Sequence, residues 1–486
     1  MKKIIIYLST FSLFSLAGCN KYLDTVPDNR TDINTPEKIS ELLVHAYPTA
    51  NYSAFCELMS DNTSDNFVGS APSVIYGKPY LWEDVLQLDQ DTPQRYWSAC
   101  YASIAAANQA LESIKLLGGG TNLNPQKGEA LVARAYSHFM LVNLFSKFYD
   151  VASATTDPGI PYVTEVEKVV IKQYDRKTVA FVYDMIEKDL LEGLPLLNDQ
   201  SYKVPAYHFN INAGNAFASR FYLYKKNYDK VIEYANKVAG TGGFALNMRN
   251  WNTNYSTKSF TETTFIYTQV TEKSNLLLCE TGSYWGRYYA RQKYGLANPF
   301  GLSLFYGANP SGGAFAYQLF GSEQGVYLPK YNEYFVRVTA NANIGDGYNM
   351  IPLFQTEEVL FNRAEALLYK GDGAGSLADL NTFLSLRISS YNPATHNLTI
   401  AKNNAFYGTT NSSGALLQTI LDFRRREFMH EGMRWFDLLR YKVAVTHNVR
   451  ASDGKITTIT LAADDKRKVL QIPQEVSLSG LTANPR

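Results

Sequence analysis

The chain has 486 residues, 45% of them hydrophobic, with 46 Lys and Arg against 45 Asp and Glu. A balance this close to neutral excludes electrostatic capture of nucleic acid or of an anionic membrane surface. Beyond Cys19 only Cys56, Cys100 and Cys279 remain, with no C-x-x-C pair, so at most one disulfide can form and a large core must hold the fold.

Lys2 and Lys3, the apolar run from Ile4 to Leu16 and the small residues before Cys19 form a secretory signal over residues 1–18. The run is too short to span a bilayer comfortably. Leu16-Ala17-Gly18-Cys19 resembles the bacterial lipobox, which implies lipidation of Cys19 and a membrane anchor built from several acyl chains. An ordinary secreted protein cut before Cys19 is the alternative. Without the signal the chain carries 44 basic and 45 acidic residues. Residues 19–36 are polar, with Pro27 and Pro36, and read as a tether to a single domain over 37–486. No second apolar stretch reaches membrane-spanning length.

Thr35-Pro36-Glu37-Lys38 places a cap, a proline and an acid at the start of a helix over about 37–47. A second helix is expected from Pro93 to Leu117, where Trp97, Tyr101, Ile104 and Leu111 recur at helical spacing before Gly118-Gly119-Gly120. A motif then repeats in shape: Ala133-Arg134-Ala135-Tyr136 within about 127–149, Ser219-Arg220-Phe221 within 211–226, and Asn362-Arg363-Ala364-Glu365 within 356–370. Each lies on a helix too apolar to stand alone, and each is followed by an amphipathic partner, over 178–191, 228–239 and 375–387. Tyr224-Lys225 and Tyr369-Lys370 precede the turns at matching positions. The pattern predicts an all-α, tetratricopeptide-like scaffold of stacked helix pairs, over about 127–240 and 356–388.

Between the pairs, residues 61–94 and 241–352 are rich in Gly, Asn, Ser, Thr and Tyr. They are expected to be long irregular insertions that carry the function. The chain holds 35 Tyr and 26 Phe against 5 Trp. Tyrosine couples a flat apolar face to a hydroxyl at its rim and suits a surface that grips half-polar ligands, although most of these rings belong to packing.

Several chemistries are discounted. Gly240-Thr241-Gly242-Gly243-Phe244-Ala245 follows a helix rather than a strand, so Gly240 reads as a helix cap, not a dinucleotide loop. His430-Glu431-Gly432-Met433-Arg434 lacks the second histidine of a zinc site. There is no G-x-S-x-G elbow and no G-x-x-x-x-G-K loop. His138, on an apolar helix, reads as a core residue. The densest cluster runs from Asp422 to Tyr441. Glu427 and Glu431, four apart, have the spacing of an acid and base pair for a glycoside hydrolase. Every carboxylate there has an arginine close by, which favours a charge network that staples helices.

The block Arg424 to Tyr441, with its R-R-E, E-G, R, aromatic pair and D-L-x-R, resembles the C-terminal signature of the SusD/RagB family of surface lipoproteins. Cys19 to Asp24, Trp97 to Ile114, Gly128 to Tyr136, Arg363 to Ala366 and Ile472-Pro473 agree with that family in order. The chain departs from it where Asn484-Pro485-Arg486 ends the sequence. The resemblance implies a SusD-like fold at the outer face of the outer membrane. It also implies a partnership with a SusC-type TonB-dependent barrel and capture of an oligosaccharide, or in the RagB branch a peptide, without covalent chemistry or cofactor. The signature residues are expected to be architectural.

Ligand capture is expected from stacking on loop rings, with polar groups at the rim. In the first insertion Tyr76, Tyr80 and Trp82 lie near Asp61, Asn62 and Asn66. In the second, Tyr284, Trp285, Arg287, Tyr288 and Tyr289 bring rings and a cation into six residues. For Trp82 and Trp285, ligand binding and pinning of the loop to the scaffold are both open, and replacing Trp285 and Tyr288 by alanine is expected to abolish ligand retention with thermal unfolding nearly unchanged. No metal site is expected, and a tetratricopeptide adaptor for a protein partner is disfavoured by the length of the insertions.

Overall fold

The computed structural model describes residues 33–66, 73–169, 171–289, 293–451 and 453–486. Cys19, the signal segment and most of the tether lie outside the described residues. The first helix, Pro36–Leu43, starts on the expected cap, with the Lys38 N–H donating to Thr35 Oγ1.

Helices α1 (Pro93–Leu116) and α2 (Asn124–Phe145) pack as an antiparallel pair, and α3 (Val179–Gly193) lies against α2. Two tight hairpins follow: α4 (Ile211–Tyr224) with α5 (Tyr228–Ala239), and α6 (Thr356–Tyr369) with α7 (Gly373–Ser385). Helix α6 packs on both α4 and α5, so the pairs stack across a gap of more than a hundred residues in sequence. The two hairpins turn alike. Lys226 and Gly371 adopt left-handed φ of 59° and 84°, and Asn227 and Asp372 then cap the second helix by accepting the N–H of Lys230 and Gly375. Tyr228 and Tyr369 stack face to face, with centroids 4.6 Å apart, and join the two turns.

The arginine of each repeat finds a bidentate carboxylate. Arg134 grips Asp189 of α3 (both contacts 2.7 Å), Arg220 grips Glu358 of α6 (2.6 and 2.5 Å), and Arg363 grips Asp379 of α7 (2.9 and 2.5 Å). Planar two-point pairing fixes the angle between helices as well as their distance. Where α2 crosses α3, Gly128 and Gly193 meet so closely that a Cβ on either would lie 2.9 Å from the other's carbonyl oxygen. His138 is in the core as expected. Its Nε2 accepts the Val163 N–H, and burial drives its pKa down to about 3, which keeps the ring neutral.

The second insertion is more regular than expected. It contributes β1 (Asn275–Gly282), β2 (Glu333–Arg337) and β3 (Gly345–Gln355), which form an antiparallel sheet in the order β1-β3-β2. The alternation in Tyr334-Phe335-Val336-Arg337 and Gly347-Tyr348-Asn349-Met350-Ile351 is the signal for this hairpin. A second hairpin pairs β4 (Val445–Arg450) with β5 (Ile456–Leu461). One continuous hydrophobic cluster runs from Ile39 to Leu481 and includes the three free cysteines' neighbours in α1, β1 and the Ser53–Met59 helix.

Helices α8 (Ser412–Glu427) and α9 (Met433–Arg440) carry the charge-dense block into this core. Arg387 grips Glu427 at 2.8 and 2.9 Å and also reaches Glu357 at 3.0 Å. Glu357 in turn accepts the Arg249 N–H and pairs with its guanidinium. Lys330 contacts Glu431 at 2.5 Å, and Tyr267 and Gln355 complete that carboxylate's partners. Burial works against the Glu427 charge, but Arg387 and Lys330 outweigh it and pull its pKa down to about 2. The network reading of the Asp422–Tyr441 block therefore holds: both glutamates are buried and committed to cations.

Arg387→Ala is expected to cost about 3–5 kcal/mol, because it strips buried Glu427 of its bidentate partner and leaves Glu357 to Arg249 alone. Denaturant unfolding measures this. Since the pKa of folded Glu427 is depressed, its stabilisation is complete above the unfolded carboxylate pKa of roughly 4.3 and is lost as pH falls toward 2.

Candidate functional site

The two insertions meet on the surface around Asp91. Strand β1 ends at Gly282, and Ser283 and Tyr284 turn the chain into the short helix Trp285–Tyr288, beside the Val74–Tyr80 helix of the first insertion. Asp91, buried and held at a φ of 64°, is the clamp. It accepts hydrogen bonds from the Tyr76 hydroxyl (2.8 Å), the Tyr284 N–H (2.9 Å) and the Ser283 hydroxyl. Burial raises its carboxyl to about 6, and the three donors hold it below what burial alone would give.

Above this clamp stands a half-exposed aromatic platform. Arg287 pairs with both oxygens of Glu333 on β2, and its guanidinium lies 5.1 Å from the Tyr284 ring centroid and 5.4 Å from that of Phe335. Tyr288 is 37% exposed and Phe335 39% exposed. Tyr284 donates to the Gly345 carbonyl, and its ring rests on Gly347, where a Cβ would lie 2.7 Å from the ring. Only glycine at that position lets the ring lie over the hairpin. Phe335 and Glu333 were not foreseen. They lie some fifty residues from Arg287, and only the β2–β3 register brings them beside it.

Five of the expected ligand rings are corrected, because they are core residues. Trp285 is 1% exposed, and its Nε1–H donates to the His430 carbonyl at 3.0 Å. Tyr289 packs edge-on against His430 and Tyr331, and Tyr76 is spent on Asp91. Tyr80 and Trp82 sandwich His447, with Tyr294 stacked on the far side of Tyr80 at 3.8 Å. The Trp82 Nε1–H donates to the Met59 carbonyl. Aromatic residues in polar sequence here pin the insertions to the scaffold. Asn66 is buried, its backbone N–H donating to the Lys293 carbonyl. Asp61 is partly exposed but gripped by Arg434 at 2.8 Å through both oxygens. Burial raises its pKa, and Arg434 and Arg425 outweigh that and hold it below the usual carboxylate range. Of the expected site residues, Tyr284, Arg287 and Tyr288 form the accessible surface.

A groove of about 550 Å³ runs along α1, lined by Trp97, Tyr101, Asn108 and Tyr174 among others. Its rings are less free. Trp97 is buried against Phe145, and the Tyr101 hydroxyl is bonded to the Pro161 carbonyl.

A scaffold of stacked helix pairs that holds an aromatic surface on its insertions defines a binding protein of the tetratricopeptide-based kind. The family described as "starch-binding associating with outer membrane" (SusD-like) matches residues 21–223, and the SusD family matches residues 221–479. The chain belongs to the SusD/RagB family. Among solved structures, it resembles a putative sugar binding protein from Bacteroides vulgatus (22% identity, 94% of this chain and 99% of that one, TM-score 0.69). It also resembles a SusD superfamily protein from Bacteroides thetaiotaomicron (21% identity, 93% and 100%, TM-score 0.67). At these identities the likeness establishes the fold. No curated protein matches the sequence.

Trp285→Ala is expected to destabilise the fold by about 3–5 kcal/mol, whereas Tyr288→Ala changes it by less than about 1 kcal/mol. Thermal unfolding of the two variants separates them. A carboxyl with a raised pKa stabilises the fold most below its unfolded value of about 3.9 and loses that contribution as pH rises through about 6. Stability of wild type relative to Asp91→Asn should thus fall by up to about 3 kcal/mol between pH 4 and pH 8.

Proposed function

We propose that this protein is a cell-surface lipoprotein, anchored through Cys19 in the outer membrane, that captures an oligosaccharide and delivers it to a SusC-type TonB-dependent transporter. The observation that carries the ligand class is the half-exposed set of Tyr284, Tyr288 and Phe335 around the Arg287–Glu333 pair. A sugar ring presents a face of C–H groups that lies on an aromatic ring, and its hydroxyls take up guanidinium donors and carboxylate acceptors at the rim. The family description as starch-binding and membrane-associated, and the sugar-binding designation of the Bacteroides vulgatus protein, support the same class. The lipobox resemblance supports the anchor. Membership in a family of binding proteins, with Glu427 and Glu431 sealed in the core, supports capture without turnover.

The test is a binding screen of the purified chain against a glycan array and a peptide pool, followed by calorimetry on the best ligand. Tyr288→Ala combined with Phe335→Ala is expected to weaken oligosaccharide binding at least about tenfold, a loss of about 1.4 kcal/mol or more, with the melting temperature nearly unchanged. Full retention of binding removes the platform from the site. Capture confined to peptides replaces the ligand class.

A further inference from the structure

Strand β2 is the open edge of its sheet: it pairs with β3 on one side and with no strand on the other among the described residues. The Val338 N–H donates to the Ile344 carbonyl at 3.0 Å, which makes 338 and 344 a hydrogen-bonded pair. Counting back by twos along an antiparallel ladder, Val336 and Tyr334 also turn their backbone groups toward β3. Glu333, Phe335 and Arg337 therefore turn theirs outward. Residues 334–337 are exposed, so this edge offers a row of unpaired N–H and C=O groups to an incoming strand.

The edge is complementary to itself. Laid antiparallel on a second copy about Phe335, Glu333-Tyr334-Phe335-Val336-Arg337 sets each Glu333 opposite the other copy's Arg337. Tyr334 then faces Val336, and Phe335 faces its own counterpart. Opposite charges and aromatic or β-branched residues directly across a strand pair are the favourable combinations. The register that matches charge also matches hydrogen bonding, since the outward-turned residues 333, 335 and 337 all meet one another. A slip of one residue sets outward groups against inward ones, and a slip of two sets Phe335 against Arg337 and breaks both charge pairs. Arg337 is exposed and makes no ion pair of its own among the described residues, so its charge is available to a partner, whereas Glu333 is already held through both oxygens by Arg287 and would be shared between Arg287 and the second copy's Arg337.

We propose that β2 joins β2 of a second copy, antiparallel, in one continuous sheet about a twofold axis at Phe335. An axis normal to the sheet keeps the side chains of 333, 335 and 337 of both copies on the same face. That face carries Arg287 and Tyr284, because Arg287 contacts both Glu333 and Phe335. The two aromatic platforms then adjoin. On the reading given under Proposed function, which this clause rests on, the pair grips one extended polymer at two places.

Sedimentation equilibrium of the chain from Asn20 onward, which retains every described residue, tests the proposal. A short strand pair buries little surface, so the expected result is a monomer–dimer equilibrium whose dimer fraction rises with concentration. Arg337→Glu is expected to raise the dissociation constant at least tenfold, and Arg337→Lys, which keeps the charge, to leave it nearly unchanged. Phe335→Pro deletes the outward N–H at the axis, leaves the bonds to β3 in place, and is expected to abolish the dimer. A chain that stays monomeric at every concentration overturns the proposal. So does a dimer indifferent to these changes, or an edge that takes up extended peptides in place of a second copy. Arg337 is exposed, so its variants decide the question even if the proline variant misfolds.

Discussion

Buried arginine–carboxylate pairing organises this molecule. Glu427 at the end of α8 meets Arg387 at the end of the last helix pair, Arg387 meets Glu357 at the start of α6, and Glu357 meets Arg249 in the second insertion. Lys330, in the same insertion, meets Glu431. Scaffold, insertion and C-terminal block thus share one desolvated network, in which each ion is tolerated only because the others are present. The same pairing recurs between helices at Arg134, Arg220 and Arg363, where it sets the angle at which neighbours cross.

The aromatic platform hangs from this network. Trp285 and Tyr331 both donate to the His430 carbonyl, two residues beyond the Phe428 that closes α8, and Glu57 accepts the N–H groups of His430 and Gly432. His430 itself, driven well below its usual pKa by burial and by the charge of Lys330, stays neutral and accepts the Leu328 N–H. A rigid interior lies beneath Tyr284, Tyr288 and Phe335, so on the proposed function these rings need little ordering when a ligand arrives. Buried tryptophans supply that rigidity, and tyrosine and phenylalanine are left half-exposed above it.

Much of the scaffold was legible in the sequence because its signals are local. The cap at Thr35, the glycine stop after α1, the apolar periodicity and the Tyr-Lys pairs before matching turns all act within a few residues. Observed helix limits fall within about four residues of the expected ones, as fraying and cap geometry allow. The β2–β3 and β4–β5 hairpins were missed, although their alternation is plain once sought, because polar and glycine-rich flanks read equally well as loop. The candidate site was legible by region but not by residue. Trp82 and Trp285 have the sequence surroundings of exposed loop rings and are both buried.

The sequence by itself determined the class: helix pairs from periodicity and caps, neutral charge, an acyl-anchor resemblance, and an arginine-rich block whose acids are matched to its cations. Tertiary structure alone decided which rings face solvent, which carboxylate each arginine holds, and that Arg287 shares a surface with Glu333 and Phe335. The reason is physical. Helix propensity and capping are short-range, whereas burial and strand register are set by contacts between residues tens to hundreds of positions apart, and no local pattern encodes those distances.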